Sequence, residues 1–180
     1  MYFTTTPLMG PAPPIGHLAR VGRSALGDLY IVGESLSVKI RSGRLDDADA
    51  LLRFWAAAAH GTSVSDDIDG VTRLLKHDPE SVLIAERDGI MIGTVIAGWD
   101  GWRCHIYRLA VAPDHRRQGI GRALLDAAAG RFAALGGRRA DAMVDDANPD
   151  AHQLYRTAGY APDPTWTRWV RPLPQERPTG

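Results

Sequence analysis

Between an apolar run, Cys104 to Val111, and a helical pattern with apolar residues at Ile120, Leu124, Leu125, Ala128, Phe132 and Leu135 lies a basic, glycine-bearing segment, Arg116-Arg117-Gln118-Gly119-Ile120-Gly121-Arg122-Ala123. This join constrains the fold more than any other stretch, because a strand must deliver the chain through a tight turn straight into a helix. The pattern predicts a helix from about Gln118, closed by Gly136-Gly137. Its first four N–H groups lack intrahelical acceptors, and their aligned dipoles favour a bound anion. Gly119 and Gly121 remove the Cβ atoms that would hold a ligand's oxygens away from those groups. Arg116, Arg117 and Arg122 add positive charge of the kind that suits phosphate.

The rest of the chain supplies no rival signal. At 180 residues it fits one domain. Lysine plus arginine and aspartate plus glutamate each total 21, so no global charge draws it to nucleic acid or to an anionic membrane. Cys104 is the single cysteine, which excludes an internal disulfide framework. Six scattered histidines without ligand spacing predict no metal site, and His17 and His152 read as surface residues. No run approaches the roughly 20 apolar residues of a membrane-spanning helix, and no signal-peptide pattern opens the chain. A cytoplasmic protein is the expectation.

Residues 1–36, with Pro7, Pro11, Pro13 and Pro14, read as an N-terminal extension, flexible or docked, holding at most a short strand at Leu29-Tyr30-Ile31-Val32. A domain is expected over 37–172 and a tail over 173–180. Regular structure is predicted to begin with a strand at Ser37 to Arg41. Helices follow over Asp46 to His60 and from Asp66 or Asp67 to Lys76, the second after a Ser65-Asp66 capping signal. Val82 to Glu86 and Ile90 to Trp99 flank Arg87-Asp88-Gly89 and predict a hairpin. Asp100-Gly101 turns the chain into the strand Cys104 to Val111. After the glycine-bearing helix come a strand at Ala140 to Val144, a short helix from Pro149 to Ala158, and a closing strand at Trp166 to Val170.

This element order resembles the GNAT superfamily of acetyl-CoA-dependent N-acetyltransferases, and three motifs carry the resemblance. Arg116-x-x-Gly119-x-Gly121 is similar to the family's (Arg/Gln)-x-x-Gly-x-(Gly/Ala) signature. Arg108-Leu109-Ala110-Val111-Ala112-Pro113-Asp114 is similar to its approach strand. Asn148-Pro149-Asp150-Ala151-His152-Gln153-Leu154-Tyr155 with Gly159-Tyr160 is similar to its Asn…Ala…Leu-Tyr…Gly-aromatic segment. The segment lacks the lysine and Ser/Thr of a phosphate-binding NTPase loop and the Gly-x-Gly-x-x-Gly spacing of a dinucleotide fold. The resemblance spans about Val38 to Val170 and implies an α/β (α+β) fold, a central, mixed, mostly antiparallel twisted sheet flanked by helices.

The resemblance also implies a site. Backbone amides over Arg117, Gln118, Gly119, Ile120, Gly121, Arg122 and Ala123, centred on Gln118 to Gly121, would hold the coenzyme A pyrophosphate, with Arg116 counted beside them as cofactor-binding. Leu109, Ala110 and Val111 would meet the pantetheine arm and the acetyl carbonyl, where this strand splays from the next. Asn148 would contact the arm, and Tyr155 would place its hydroxyl near the thiol sulfur as proton donor; the alternative for Tyr155 is a packed aromatic beside Leu154. His105 lies where the histone acetyltransferase branch carries a glutamate base, so it reads either as a base acting directly or through water, or as an ordinary strand histidine. Glu86 and Asp100 are weaker candidates, the latter as a turn residue.

Cys104 raises an acyl-cysteine route, disfavoured because strand alternation sets it on the face opposite His105. Asp66, Asp67 and Asp69 either attract a cationic amine or, as favoured, cap a helix. Trp99 and Trp102 read as acceptor-pocket walls or as a cross-strand pair, and Arg138-Arg139 as a solvated pair. The function expected is acetyl transfer from acetyl-CoA to a primary amine of a small molecule, protein or peptide by direct attack in a ternary complex. The alternatives are transfer from another acyl-CoA, or a catalytically silent acyl-CoA-binding sensor. A homodimer through Trp166 to Val170 is the one assembly suggested; no nucleic-acid or membrane partner is expected.

Overall fold

The computed structural model describes residues 20–23, 29–32, 38–165, 167–171 and 173; the expectations placed on His17, on Trp166 and on 174–180 lie outside them. The chain divides between Met143 and Val144 into two compact units.

The first unit is built on a seven-stranded sheet whose spatial order follows the sequence: β1 Arg20–Arg23, β2 Leu29–Val32, β3 Val38–Ser42, β4 Val82–Arg87, β5 Ile90–Trp99, β6 Cys104–Val111 and β7 Ala140–Ala142. All neighbours pair antiparallel except β6 and β7, which are parallel. Short connections explain the antiparallel pairs other than β3 and β4, which two helices separate in the chain, and the helix between β6 and β7 supplies the crossover that a parallel pair requires. The helices are α1 Ala48–Ala58, α2 Ile68–His77 and α3 Ile120–Ala134.

Regular structure starts earlier than the sequence suggests. Part of the extension, β1 and β2, forms a hairpin laddered onto the outer edge of β3. That pairing answers the backbone donors and acceptors which β3 would otherwise leave open as an edge. The β4–β5 hairpin turns on Asp88 and Gly89, at φ 53° and 75°, the two positive angles of the tight turn that matches strand twist.

Alternation along the strands sorts the core onto both faces of the sheet. On one face α1 and α2 bury Leu51, Trp55, Val71 and Leu75 against Val82, Ile84, Ile96 and Ala110. On the other, α3 buries Ile120, Leu124, Leu125, Ala128 and Phe132. It approaches so closely that a Cβ on Gly93 would lie 3.0 Å from both Ile120 and Leu124. Leu135, expected in this stripe, is 40% exposed, because α3 ends at Ala134 and Gly136 reverses the chain at φ 83°.

The second unit carries α4, Pro149–Thr157, with Pro149 in its first turn and the Asn148 side chain accepting from the Ala151 N–H at 3.0 Å. Tyr155 packs edge-on to Tyr160, ring centroids 5.2 Å apart. The closing strand is not formed: 167–170 carry no strand, and Trp169 and Val170 are 91% and 74% exposed. Pro162, Pro164, Pro172 and Pro174 flank it, and each removes a ladder donor beside a run already too short to lose one.

Candidate functional site

The strand β6 is bent where it would be expected to bind. Its register against β5 shifts between Thr94↔Ala110 and Ile96↔Tyr107, and Arg108 sits in the bulge at φ 48°. Beyond the bulge, β6 has no strand neighbour on its far side among the described residues, because the ladder to β7 covers Cys104 to Ile106. The Ala112 N–H donates to Ile92 on β5 at 2.9 Å, so by alternation the N–H and C=O groups of Val111 and Leu109 point to the open side. Ala110 does not: its backbone faces β5, and its side chain is 4% exposed in the core under α1.

A short link carries the chain from Val111 to α3. Arg117 and Gly119 both adopt left-handed backbone, φ 60° and 81°, and Gly119 is the residue from which α3 starts. The helix therefore opens two residues later than the pattern of apolar side chains implies. Ala123 donates its N–H to the Gly119 carbonyl at 3.0 Å, so its amide closes the helix's first turn and does not belong to an anion cradle. The cradle is narrower, formed by the first-turn N–H groups from Ile120 to Arg122 at the positive end of a 15-residue helix.

The arginines divide their roles. Arg116 donates from Nε to the Val111 carbonyl at 3.1 Å and from a terminal nitrogen to the Ala58 carbonyl, at the end of α1, at 3.2 Å. Its guanidinium fastens the link to its surroundings rather than waiting for phosphate. Arg122 grips both oxygens of Asp126 at 2.9 Å one turn along. The Gln118 side chain is braced at both ends, donating to the Asp114 carbonyl and accepting from Arg87, each at 3.1 Å. Arg87, which also lies 3.3 Å from His115 Nδ1, escaped the sequence reading because nothing in a strand-end arginine announces a brace 31 residues away.

The bulge is held from beneath. Thr94, fully buried, donates its hydroxyl to the Arg108 carbonyl at 3.1 Å and accepts from the Trp55 indole N–H at 3.0 Å. Neither residue was singled out from sequence, where a strand threonine and a helix tryptophan look like ordinary core. Thr94→Val keeps the shape and strands the indole N–H, so a loss of about 1 to 3 kcal/mol is expected, read as a lower midpoint in denaturant unfolding.

The candidate bases separate clearly. His105 lies on the α1 side of β6, its Nδ1 3.8 Å from Asp141 Oδ2, beyond hydrogen-bond distance, with Tyr107 beside it at 5.8 Å between ring centroids. His105 is six residues before Val111, at most about 20 Å along a strand that the bulge shortens, so a group held at the Val111 N–H reaches it only along a chain of several water molecules. Glu86 is paired with Arg41 at 2.7 Å and is no free base. Asp100 is a turn residue, accepting from the N–H groups of Arg103 and Trp102, which hold its carboxyl below the usual range. Cys104 is 1% exposed, and burial pushes its thiol up, which leaves little thiolate for acylation.

On the acceptor side, Asp66 is paired with Arg108 and Asp67 caps α2 by accepting from Gly70 at 2.6 Å, so neither is free for a cationic amine. Trp99 and Trp102 line a cavity of about 520 Å³ with Arg103, Leu135, Gly136 and Arg138. It sits at the C-terminal end of α3, away from the cradle at the N-terminal end. In the second unit, Asn148 is engaged as the cap of α4, and burial raises the Tyr155 phenol well above its ordinary value, with Tyr160 adding to the effect. Among the described residues no cluster offers a metal three ligands, and no helix is long and apolar enough to cross a membrane. The open edge of β6 fits an extended, amide-bearing ligand, and the first turn of α3 fits a diphosphate.

The model of the acetyltransferase (GNAT) family matches residues 48–160. An acetyltransferase of Pectobacterium atrosepticum is 32% identical over 123 residues, which are 68% of this chain and 87% of that protein. Ard1 of Thermoplasma volcanium has a similar structure, TM-score 0.62 and 21% identity, over 69% of this chain and 82% of its own. The aminoglycoside N-acetyltransferase AAC(6')-Iy, in complex with CoA, gives a TM-score of 0.60 at 14% identity over 79% of this chain and all of its own. At those identities the two structures show a shared fold.

Proposed function

Because the chain belongs to the GNAT acetyltransferase family, we propose that it transfers acetyl from acetyl-CoA to a primary amine of a small molecule or peptide, by direct attack in a ternary complex. One observation carries this reading: the backbone groups of Leu109 and the N–H of Val111 point out of an edge that has no strand neighbour among the described residues and leads toward the first turn of α3. A pantetheine arm laid along that edge replaces the missing strand neighbour, and its pyrophosphate meets the amides of Ile120 to Arg122.

Acetyl-CoA supplies an acyl group activated as a thioester. The protein has three tasks: to hold the thioester carbonyl, to accept the amine's proton, and to ease departure of the thiolate. The first falls to a backbone N–H of the splayed edge at or beside Val111, a donor whose loss typically costs about 2.7 to 4 kcal/mol at the transition state. His105 is the base we propose for the amine's proton, which must reach it along a chain of several water molecules. For the third task we carry over the family's tyrosine, Tyr155. A phenol raised above its usual value is a weaker acid than an ordinary thiol, near 8.5. Full transfer of its proton would therefore run uphill, and Tyr155 serves as a hydrogen-bond donor to developing negative charge.

Thiol release from acetyl-CoA, measured over a panel of amines, peptides and aminoglycosides, tests the reading. Turnover with at least one amine is expected; tight acetyl-CoA binding without turnover on any of them would instead make the protein a ligand-binding module. His105→Gln is expected to flatten the acidic limb of the pH–rate profile while leaving acetyl-CoA affinity near that of the wild type. An unchanged limb removes His105 as base.

A further inference from the structure

Arg108 connects β6 to a loop that the sequence keeps 42 residues away. Its backbone is the bulge of β6, fixed from below by Thr94. Its side chain leaves the strand for the loop joining α1 to α2. There Nε donates to Asp66 Oδ1 at 2.9 Å, one terminal nitrogen pairs with Asp66 Oδ2, and the other donates to the Gly61 carbonyl at 3.1 Å. The two charged side chains are largely buried, 12% and 19% exposed, and the guanidinium lies 5.9 Å from the Trp55 ring centre. Asp66 in turn gathers the loop by accepting from the Ser63 N–H at 2.9 Å. Little else holds this segment: Gly61 to Ser65 are all exposed, Val64 completely so.

We propose that Arg108 is a positioning residue that makes the α1–α2 loop move as one with the cofactor-bearing edge of β6, so that acetyl-CoA binding orders the loop against which the amine docks. This rests on reading that edge as the acetyl-CoA site. A ligand paired along Leu109 to Val111 holds the open side of the bulge that Thr94 already holds from beneath; a bulge held on both sides fixes the root of the Arg108 side chain, and the two-pronged pairing fixes Asp66. Lysine cannot reproduce the effect, since a point charge does not span a carboxylate and a carbonyl in one plane. The result is cooperative binding of the two substrates through a loop that contacts neither phosphate nor sulfur.

The test is amide exchange of the full chain with and without acetyl-CoA, alongside calorimetric titration of the same samples and steady-state kinetics. In the wild type, acetyl-CoA is expected to slow exchange over residues 60–67 by about tenfold, within the usual range of coupling between sites. In Asp66→Asn and in Arg108→Lys the slowing disappears, the amine KM rises about tenfold with a much smaller change in kcat, and the double variant is no worse than either single one. Asp66 lies on the loop, so its variant decides the matter if Arg108→Lys fails to fold. If acetyl-CoA binds the wild type without slowing the loop, or slows the variants equally, the proposal is overturned and the acetyltransferase reading stands. If the wild type binds no acetyl-CoA, that reading falls and takes the proposal with it.

Discussion

Gly119→Val is expected to weaken acetyl-CoA binding by roughly a hundredfold or more, with a matching loss in kcat/KM, since each tenfold step corresponds to about 1.4 kcal/mol. Gly119 stands at φ 81° at the start of α3, a region that costs an L-residue about 1 to 2 kcal/mol and a β-branched one more. A Cβ there meets no atom within 4 Å, so the folded protein feels backbone strain alone and the thermal midpoint drops modestly. Binding suffers doubly. The peptide between Gly119 and Ile120 rotates to relieve the strain, which swings the first-turn N–H groups out of register, and the new side chain occupies space that the open cradle leaves to phosphate. Hydrogen bonds to a charged partner are worth about 1.5 to 3 kcal/mol each, so losing two suffices for the expected effect. Gly119→Ala should fall between. Calorimetry separates this from misfolding, and a valine variant binding acetyl-CoA as the wild type does would refute the cradle.

Tyr155→Phe is expected to lower kcat by about a hundredfold with little change in the KM for acetyl-CoA, the range seen when a single group that meets developing charge is removed. Its raised phenol predicts a further signature. The native state keeps the Tyr155 proton above pH 10, where the unfolded chain releases it, so the native state binds more protons there and stability falls as pH rises past about 10. Below that pH the contribution is fully present. The phenylalanine variant lacks this alkaline loss, which urea titrations at pH 8 and pH 11 would reveal. Because the proton stays on the oxygen throughout the working range, Tyr155 should not set an alkaline limb of the rate profile below pH 10.

Several parts of the fold were legible because local chemistry dictates them. Asp88-Gly89 specifies a two-residue turn wherever it is flanked by alternating strands, and the structure uses it so. Val71 with Leu75, and Leu124 with Ala128, mark buried helix faces by spacing alone. The hairpin of β1 and β2 was obscured because its ladder depends on the open edge of β3, a partner outside its own sequence. The strand expected at Trp166 to Val170 is not formed over its described part, 167–170, for the complementary reason: a run that looks extended still needs a neighbour to pair with.

The candidate site shows the same division. Sequence by itself determined the glycine-bearing helix start and the strand that leads to it, because backbone access and helix polarity are local properties of residue type; Tyr155 and Asn148 came from the family resemblance alone. Only the tertiary structure decided that Arg116 is a fastening, that Glu86 and Asp66 are neutralised by Arg41 and Arg108, and that Ala123 closes a helical turn. A charged side chain's role depends on which opposite charge folding brings within 3 Å, and the partners here lie up to 45 residues away. The spacing of residues along the chain carries no record of that encounter.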